Sequence, residues 1–300
     1  MRRASILITL LVAGGLSMAA SAVQQNGHPA TSADRKVVTL QKIKDNLYLA
    51  TGGGGNSAIF VTDLGVVVVD TKLPGWGEPL LAKIKTITDK PVTTIINTHA
   101  HGDHVGSNEF FGTAVEIVAQ ENTRLTMDKM DEFKGEKVNY LPKLMFKDRM
   151  TLGAGKDRID LYYFGAGHTN GDAWVVFPAA RVVHAGDMFA AAEPPIIDSL
   201  HGGSGLDYPS TLEKAAMGIK NVDTIITGHS TLKPWKDLTT YAEFTREFRD
   251  VVVNGFDHGM SVSEIAGGWK LPAKFAAAGY TAPPDRVKAD VDAIVGELSK

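Results

Sequence analysis

The chain has 300 residues, 44% of them hydrophobic and 22% charged, enough for one large globular domain or two small ones with a substantial core. A net charge of −3 offers no basic surface, so no nucleic-acid partner is expected. With no cysteine there is no disulfide, no lipoprotein attachment thiol and no thiol nucleophile, and any metal must be held by nitrogen and oxygen.

The N-terminus "MRRASILITLLVAGGLSMAASA" has Arg2 and Arg3, an apolar run from Ile6 to Leu16 and a small-residue end at Ala20-Ser21-Ala22. That order predicts a secretory signal peptide over 1–22; its apolar run is too short to span a bilayer. A disordered polar leader is expected over 23–36, and a single domain over 37–300. The expected address is periplasmic or secreted, with no stable membrane anchor once the signal is cleaved.

After the leader, "KVVTLQKIKDNLYLATG" and "NSAIFVTDLGVVVVDT" read as two hairpins, turning near Lys44-Asp45-Asn46 and at Asp63-Leu64-Gly65. The run Gly52 to Gly55 between them lacks the Lys-Ser/Thr of a phosphate loop and opens no helix, so a flexible connector is expected, one that could sit at an active-site rim because it follows a strand. "WGEPLLAKIKTITDK" carries Leu80, Leu81, Ile84 and Ile87 at helical spacing. "PVTTIINT" and "AVEIVAQ" read as strands and "ENTRLTMDKMDEF" as a polar helix. Further strands are expected in "RIDLYYFG", "AWVVFP" and "RVVHAGD". "YPSTLEKAAMGIKN" reads as a helix and "VDTIITGHS" as a strand. "KPWKDLTTYAEFTREFRDVVVNG" is expected to be a long amphipathic helix with an apolar face of Trp235, Leu238, Tyr241, Phe244, Phe248 and Val251. Ser261-x-x-Glu264 is a capping box, and a last helix is expected over Asp285 to Leu298.

Three of the nine histidines fall in "HAHGDH", directly after the strand "VTTII". On extended backbone His99 and His101 point the same way and can reach one ion. Gly102 lets the chain turn, and "VGSNEFF" predicts a helix starting just beyond; at a helix start Asp103 and His104 can turn toward a second position. Imidazole plus carboxylate suits zinc first, with iron or manganese as alternatives.

"THAHGDH" resembles the T-H-x-H-x-D-H signature of the metallo-β-lactamase superfamily. "GAGHTNGDAWVVF" with His168, "VVHAGDMF" with Asp187 and "IITGHS" with His229 resemble its later motifs, in the same order and each after a predicted strand. The resemblance covers about Asn46 to Ser230. It implies an α/β fold, a four-layer αββα sandwich with the ligands on loops at one edge of two sheets. By position it implies that His99, His101 and His168 hold one Zn2+, that Asp103, His104 and His229 hold a second, and that Asp187 bridges both. Bridging aspartate makes the ligand set closest to glyoxalase II-like members.

Two such ions would lower the pKa of a bridging water toward 7, from about 15.7. The expected function is therefore an exported dinuclear-zinc hydrolase in which a metal-bridging hydroxide attacks the carbonyl of an ester, thioester, lactone or β-lactam. Asp103 is the expected catalytic residue, orienting the nucleophile and shuttling its proton, and the partner is a small-molecule substrate. The alternatives are a β-lactamase proper and a mononuclear-iron oxidoreductase of the same fold; His101 argues against the diiron type, which usually has glutamate there. Asp70, after "GVVVV", is expected to hydrogen-bond a ligand histidine. His184 is expected to be a strand or supporting residue, and His201 a loop residue that could face substrate. His28 and His258 have no partner motif.

Overall fold

The computed structural model describes residues 36–300. The expected signal peptide lies outside them, as does the leader except for Lys36, whose Nζ donates to Gly75 O at 2.8 Å. The first hairpin is β1 (Thr39–Lys44) with β2 (Leu47–Thr51), and the second β3 (Ser57–Val61) with β4 (Val66–Val69). A crossover through α1 (Gly77–Ile84) brings β5 (Val92–Ile96) parallel to β4. One helical turn, α2 (Gly102–Val105), then precedes β6 (Glu116–Gln120), α3 (Glu121–Met127) and β7 (Leu144–Phe146), which complete a seven-stranded sheet ordered β1-β2-β3-β4-β5-β6-β7.

The second sheet is built from β8 (Arg149–Leu152), β9 (Ile159–Tyr162), β10 (Trp174–Phe177) and β11 (Val182–His184). After α4 (Tyr208–Gly218) come β12 (Thr224–Ile226), parallel to β11, and β13 (Lys233–Pro234). Its order is β13-β12-β11-β10-β9-β8. The chain ends in α5 (Asp237–Asp257), α6 (Val262–Gly268), α7 (Ala273–Ala277) and α8 (Pro284–Leu298).

Alternation along the strands makes the layers. Val66 and Val68 face outward onto Leu80 and Ile84 of α1, while Val67 and Val69 face the other sheet. On β10, Val175 and Phe177 face inward, and Trp174 and Val176 pack outward on Tyr208 and Leu212 of α4 and Leu238, Tyr241 and Phe244 of α5. Phe60 and Phe177 meet across the sheets with ring centroids 5.0 Å apart. The result is the expected helix–sheet–sheet–helix order. No helix of the described residues is long and apolar enough to cross a membrane.

Several elements differ from the sequence reading. The long helix starts at Asp237, not Lys233, because Lys233 and Pro234 pair with Ile225 and Thr224 as an edge strand. Its buried face runs Leu238, Tyr241, Phe244, Phe248, Val252; the four-residue steps leave Val251 46% exposed. The helix expected to reach Phe133 ends at Met127, followed by a separate 3₁₀ turn over Asp131–Phe133. Strands β7 and β8 have no counterpart in that reading; both are short and lie at sheet edges. The capping box at Ser261 and Glu264 has both of its hydrogen bonds.

Candidate metal centre

Each chemically distinctive side chain follows a strand. His99 and His101 leave the end of β5 on extended backbone, and His101 is the N-cap of α2, with φ −65° and ψ 144°. Asp103 and His104 lie within α2, so the helix starts at Gly102, earlier than "VGSNEFF" suggested. His168 lies between β9 and β10, Asp187 on a 3₁₀ turn after β11, and His229 after β12. All seven converge. One group comprises His99, His101, His168 and Asp187, another Asp103, His104 and His229, each able to place one ligand atom per residue within 4.8 Å of the rest. Asp187 stands between the groups: Oδ2 is 3.7 Å from His168 Nε2 and 3.2 Å from His229 Nε2, and Oδ1 is 3.4 Å from His104 Nε2.

Hydrogen bonds on the far side of each ring decide which nitrogen faces the centre. His168 Nδ1 lies 2.7 Å from Ile196 O, a pure acceptor, so Nδ1 carries the proton and Nε2 presents a lone pair. His101 Nε2 donates to Asp198 Oδ2 at 2.6 Å, which turns the Nδ1 lone pair inward. Thr98 Oγ1 gives its only proton to Asp70 Oδ2 at 2.7 Å, so it accepts from His99 Nδ1 at 3.0 Å. His104 Nδ1 donates to the same Asp70 oxygen at 2.7 Å. Four imidazoles thus aim their other nitrogens at one region, His168 Nε2 and His101 Nδ1 only 3.0 Å apart. His99 Nε2 and Asp187 Oδ1 are buried there without a hydrogen-bond partner. Converging lone pairs and orphaned buried acceptors are costly on their own and fit divalent cations.

The electrostatics agree. Burial, reinforced by His104 and His168, holds the His99 pKa well below the usual imidazole range. Burial likewise lowers His168 to about 4, so both are neutral and free to ligate. Burial also opposes charge on His104, but the Asp187 and Asp70 carboxylates outweigh it and raise its pKa to about 9. His104 and Asp187 would give up that shared proton on holding a cation. Burial works against charge on Asp187 too, yet His104 and the His229 hydrogen bond keep it ionised.

Around this cluster stand residues that hold it. Asp70 has φ +63° and Lys72 φ +77°, strained backbone that points the carboxylate of Asp70 at His104 and Thr98. Asp198 Oδ2 accepts from both His101 Nε2 and His201 Nδ1, the latter at 2.5 Å. Its pKa falls to about 2 because those two hydrogen bonds outweigh burial. His201 also borders an open cleft of about 520 Å3 lined by Thr126, Lys129, Asn170 and Ser199, with none of the seven converging residues in its wall. His184 donates from Nε2 to Asn56 O and accepts at Nδ1 from Gly186 N, so both its nitrogens are committed to backbone. Asp198, Lys72 and Asn56 carry no motif and were missed in the sequence; the N-cap position of Asp198 before "SLH" is the one local signal that could have found any of them.

The Gly52–Gly55 run is not the free connector its composition suggests. Gly52, Gly53 and Gly54 all have positive φ, and a Cβ on Gly55 would stand 2.2 Å from the His104 ring.

Residues 50–229 match the sequence model of the Metallo-beta-lactamase superfamily. The chain is 28% identical to a "Metallo-beta-lactamase type 2" of Elizabethkingia meningoseptica, over 67% of this chain and 81% of that one. Among solved structures, a metallo-beta-lactamase from Pontibacter korlensis shares the fold with TM-score 0.61 at 20% identity, covering 70% of this chain and 99% of that one. A double mutant of the sec-alkyl sulfatase PisA1 does so with TM-score 0.68 at 14% identity, over 85% of this chain and 50% of its own.

Proposed function

Because this chain belongs to the Metallo-beta-lactamase superfamily and is a hydrolase of that family, we propose that it is an exported dinuclear-zinc enzyme that cleaves the carbonyl bond of a small ester, thioester, lactone or β-lactam. The observation that carries the reading is the tautomer pattern: four imidazoles locked from behind so that their free nitrogens share a centre with Asp103, Asp187 and His229. His99, His101 and His168 would hold one ion, Asp103, His104 and His229 the other, with Asp187 touching both. Two such ions supply a water of lowered pKa and a Lewis acid for the carbonyl.

The chain's own residues supply the rest. Asp103 is 27% exposed at its side chain and Asp187 only 3%, so of the two carboxylates Asp103 alone faces solvent. Its Oδ2, 3.3 Å from His229 Nε2, would take the nucleophile's proton and return it to the leaving group. The cleft beside His201 is of a size for a small molecule. Relatives named metallo-beta-lactamases make a β-lactam the first substrate to test, and the sulfatase adds an alkyl sulfate to the panel. Export is supported by the signal-like N-terminal sequence.

The test pairs metal analysis with a panel of a cephalosporin, an acyl-thioester, a lactone, a phosphodiester and an alkyl sulfate. Two zinc ions per chain and turnover of a carbonyl substrate are expected, with Asp103→Ala folded and inactive. One iron per chain, or an Asp103→Ala enzyme with undiminished rate, would overturn the reading.

A further inference from the structure

We propose that the segment Gly52–Asn56 is the scaffold of the second cation position, and that Lys72 and Asn56 are its positioning residues. The inference rests on the two-cation reading above. The second position draws Asp103 and His104 from the loop after β5, in one sheet, and His229 from the loop after β12, in the other. Something must fix these loops to each other.

The five residues between β2 and β3 touch both. Gly55 N donates to Asp103 O at 3.2 Å. A Cβ on Gly54 would stand 2.8 Å from Asp103 Cβ, and one on Gly55 would enter the His104 ring. Only glycine lets the backbone lie flat on these two side chains. Asn56 grips the other loop: its N donates to Gly228 O at 2.7 Å, and its Nδ2 to Thr227 O and Ser230 O, both at 2.8 Å. Those carbonyls lie on either side of His229. Asn56 O in turn accepts from His184 Nε2.

Lys72 pins the segment from beneath. It is fully buried, and its Nζ donates to Ala50 O at 2.7 Å and Gly55 O at 2.6 Å. A buried amine needs acceptors whatever its charge, and here both are backbone carbonyls, one of them in the segment that lies on Asp103 and His104. An apolar side chain would fill the space but leave Gly55 O without a donor. The first cation position is held differently, by Thr98, Ile196 O and Asp198 behind His99, His168 and His101. Damage to the glycine segment should therefore separate the two sites.

The test is zinc titration of apo protein against a chromophoric chelator for native protein, Lys72→Met and Asn56→Ala, with thermal melting as the folding control. In both variants the first ion should bind within about twofold of native and the second about tenfold more weakly, the low end of the range for loss of an outer partner, since both residues hold backbone beside the ligands and not the ligand side chains. Asn56→Ala keeps the buried lysine and carries the test if Lys72→Met does not fold. Two ions bound as tightly as in native protein, or both weakened alike, would overturn the inference while leaving the two-cation reading intact. Native protein that takes up a single ion would overturn both.

Discussion

Replacing Asp198 by asparagine is the sharpest probe of the first cation position. One oxygen, Oδ2, serves two imidazoles, His101 at 2.6 Å and His201 at 2.5 Å. The other, Oδ1, accepts the N–H groups of Leu200 and His201 at 3.0 and 3.2 Å and so caps the turn that follows. Asparagine keeps one acceptor. If its oxygen stays on the cap, its amide faces two rings that both need to donate, and nothing holds the His101 proton on Nε2. Loss of such a partner costs about 10–100-fold in metal affinity, or about 1.4–2.7 kcal/mol. His101 is 25% exposed at its side chain, so water can replace part of the carboxylate, and the lower end, about tenfold, is expected. Chelator competition on apo protein measures it. The second ion should be unaffected, because among the described residues Asp198 pairs with His101 and His201 and not with Asp103, His104 or His229. Asp198→Ala should show the same affinity loss plus about 1 kcal/mol of lost stability in urea, the value of the cap. An Asp198→Asn protein that binds its first ion as tightly as native would refute the argument that this carboxylate fixes the His101 tautomer.

Two further predictions concern the framework. Asp290 of α8 is buried with Oδ2 unpartnered, and burial raises its pKa well above the carboxylate range despite Arg286 and an Ile197 backbone hydrogen bond. The native state therefore holds a proton that the unfolded chain releases above about pH 4, so this residue's contribution to stability falls as pH rises, by up to about 1.4 kcal/mol per pH unit. Asp290→Asn should match native protein near pH 4 and exceed it at pH 8 in urea denaturation; an equal difference at both pH values would contradict the assignment. Phe60→Ala removes a ring packed between the sheets against Phe177 and should cost about 3–5 kcal/mol. A loss under about 1 kcal/mol would mean that the two sheets close over the gap.

What could be read from the sequence was what repeats locally. Apolar runs such as "VVVV" and "WVVF" gave strands but, being buried on both sides, not which residue faces which layer, and "HAHGDH" gave a cluster whose geometry follows from extended backbone and one helical turn. His168, Asp187 and His229 came from short motifs after strands, carried by resemblance and not by spacing. Of the residues that hold the cluster, Asp70 was expected and does meet His104, whereas Lys72 and Asn56 escaped because their partners are distant backbone atoms: Lys72 meets Ala50 and Gly55, and Asn56 reaches Thr227 and Ser230. No periodicity or motif encodes such contacts. The glycine run misled for the same reason, since glycine reads alike in a free loop and in a backbone pressed on its neighbours. Lys233-Pro234 looked helical until the pairing with β12 was known.

Strand direction explains why motifs so far apart meet. β4 and β5 run parallel in the first sheet, so Asp70 and His99 emerge at the same edge. In the second sheet β11 and β12 are parallel, which places Asp187 and His229 together. β9 pairs antiparallel with β10, and β10 with β11, so β9 points the same way as β11 and delivers His168 to that edge too. Each sheet thus offers several carboxyl ends side by side, where loops are free to vary while the strands beneath stay fixed. Stacking the inner faces through Phe60, Val67, Val175 and Phe177 sets the two edges against each other. The same logic separates ligands from supports. Ligands extend from strand ends toward the gap between the sheets, whereas Lys72 and Asn56 act where one sheet's loop must be tied to the other's. A site drawn from two sheets needs such a tie, and one built on a single sheet would not.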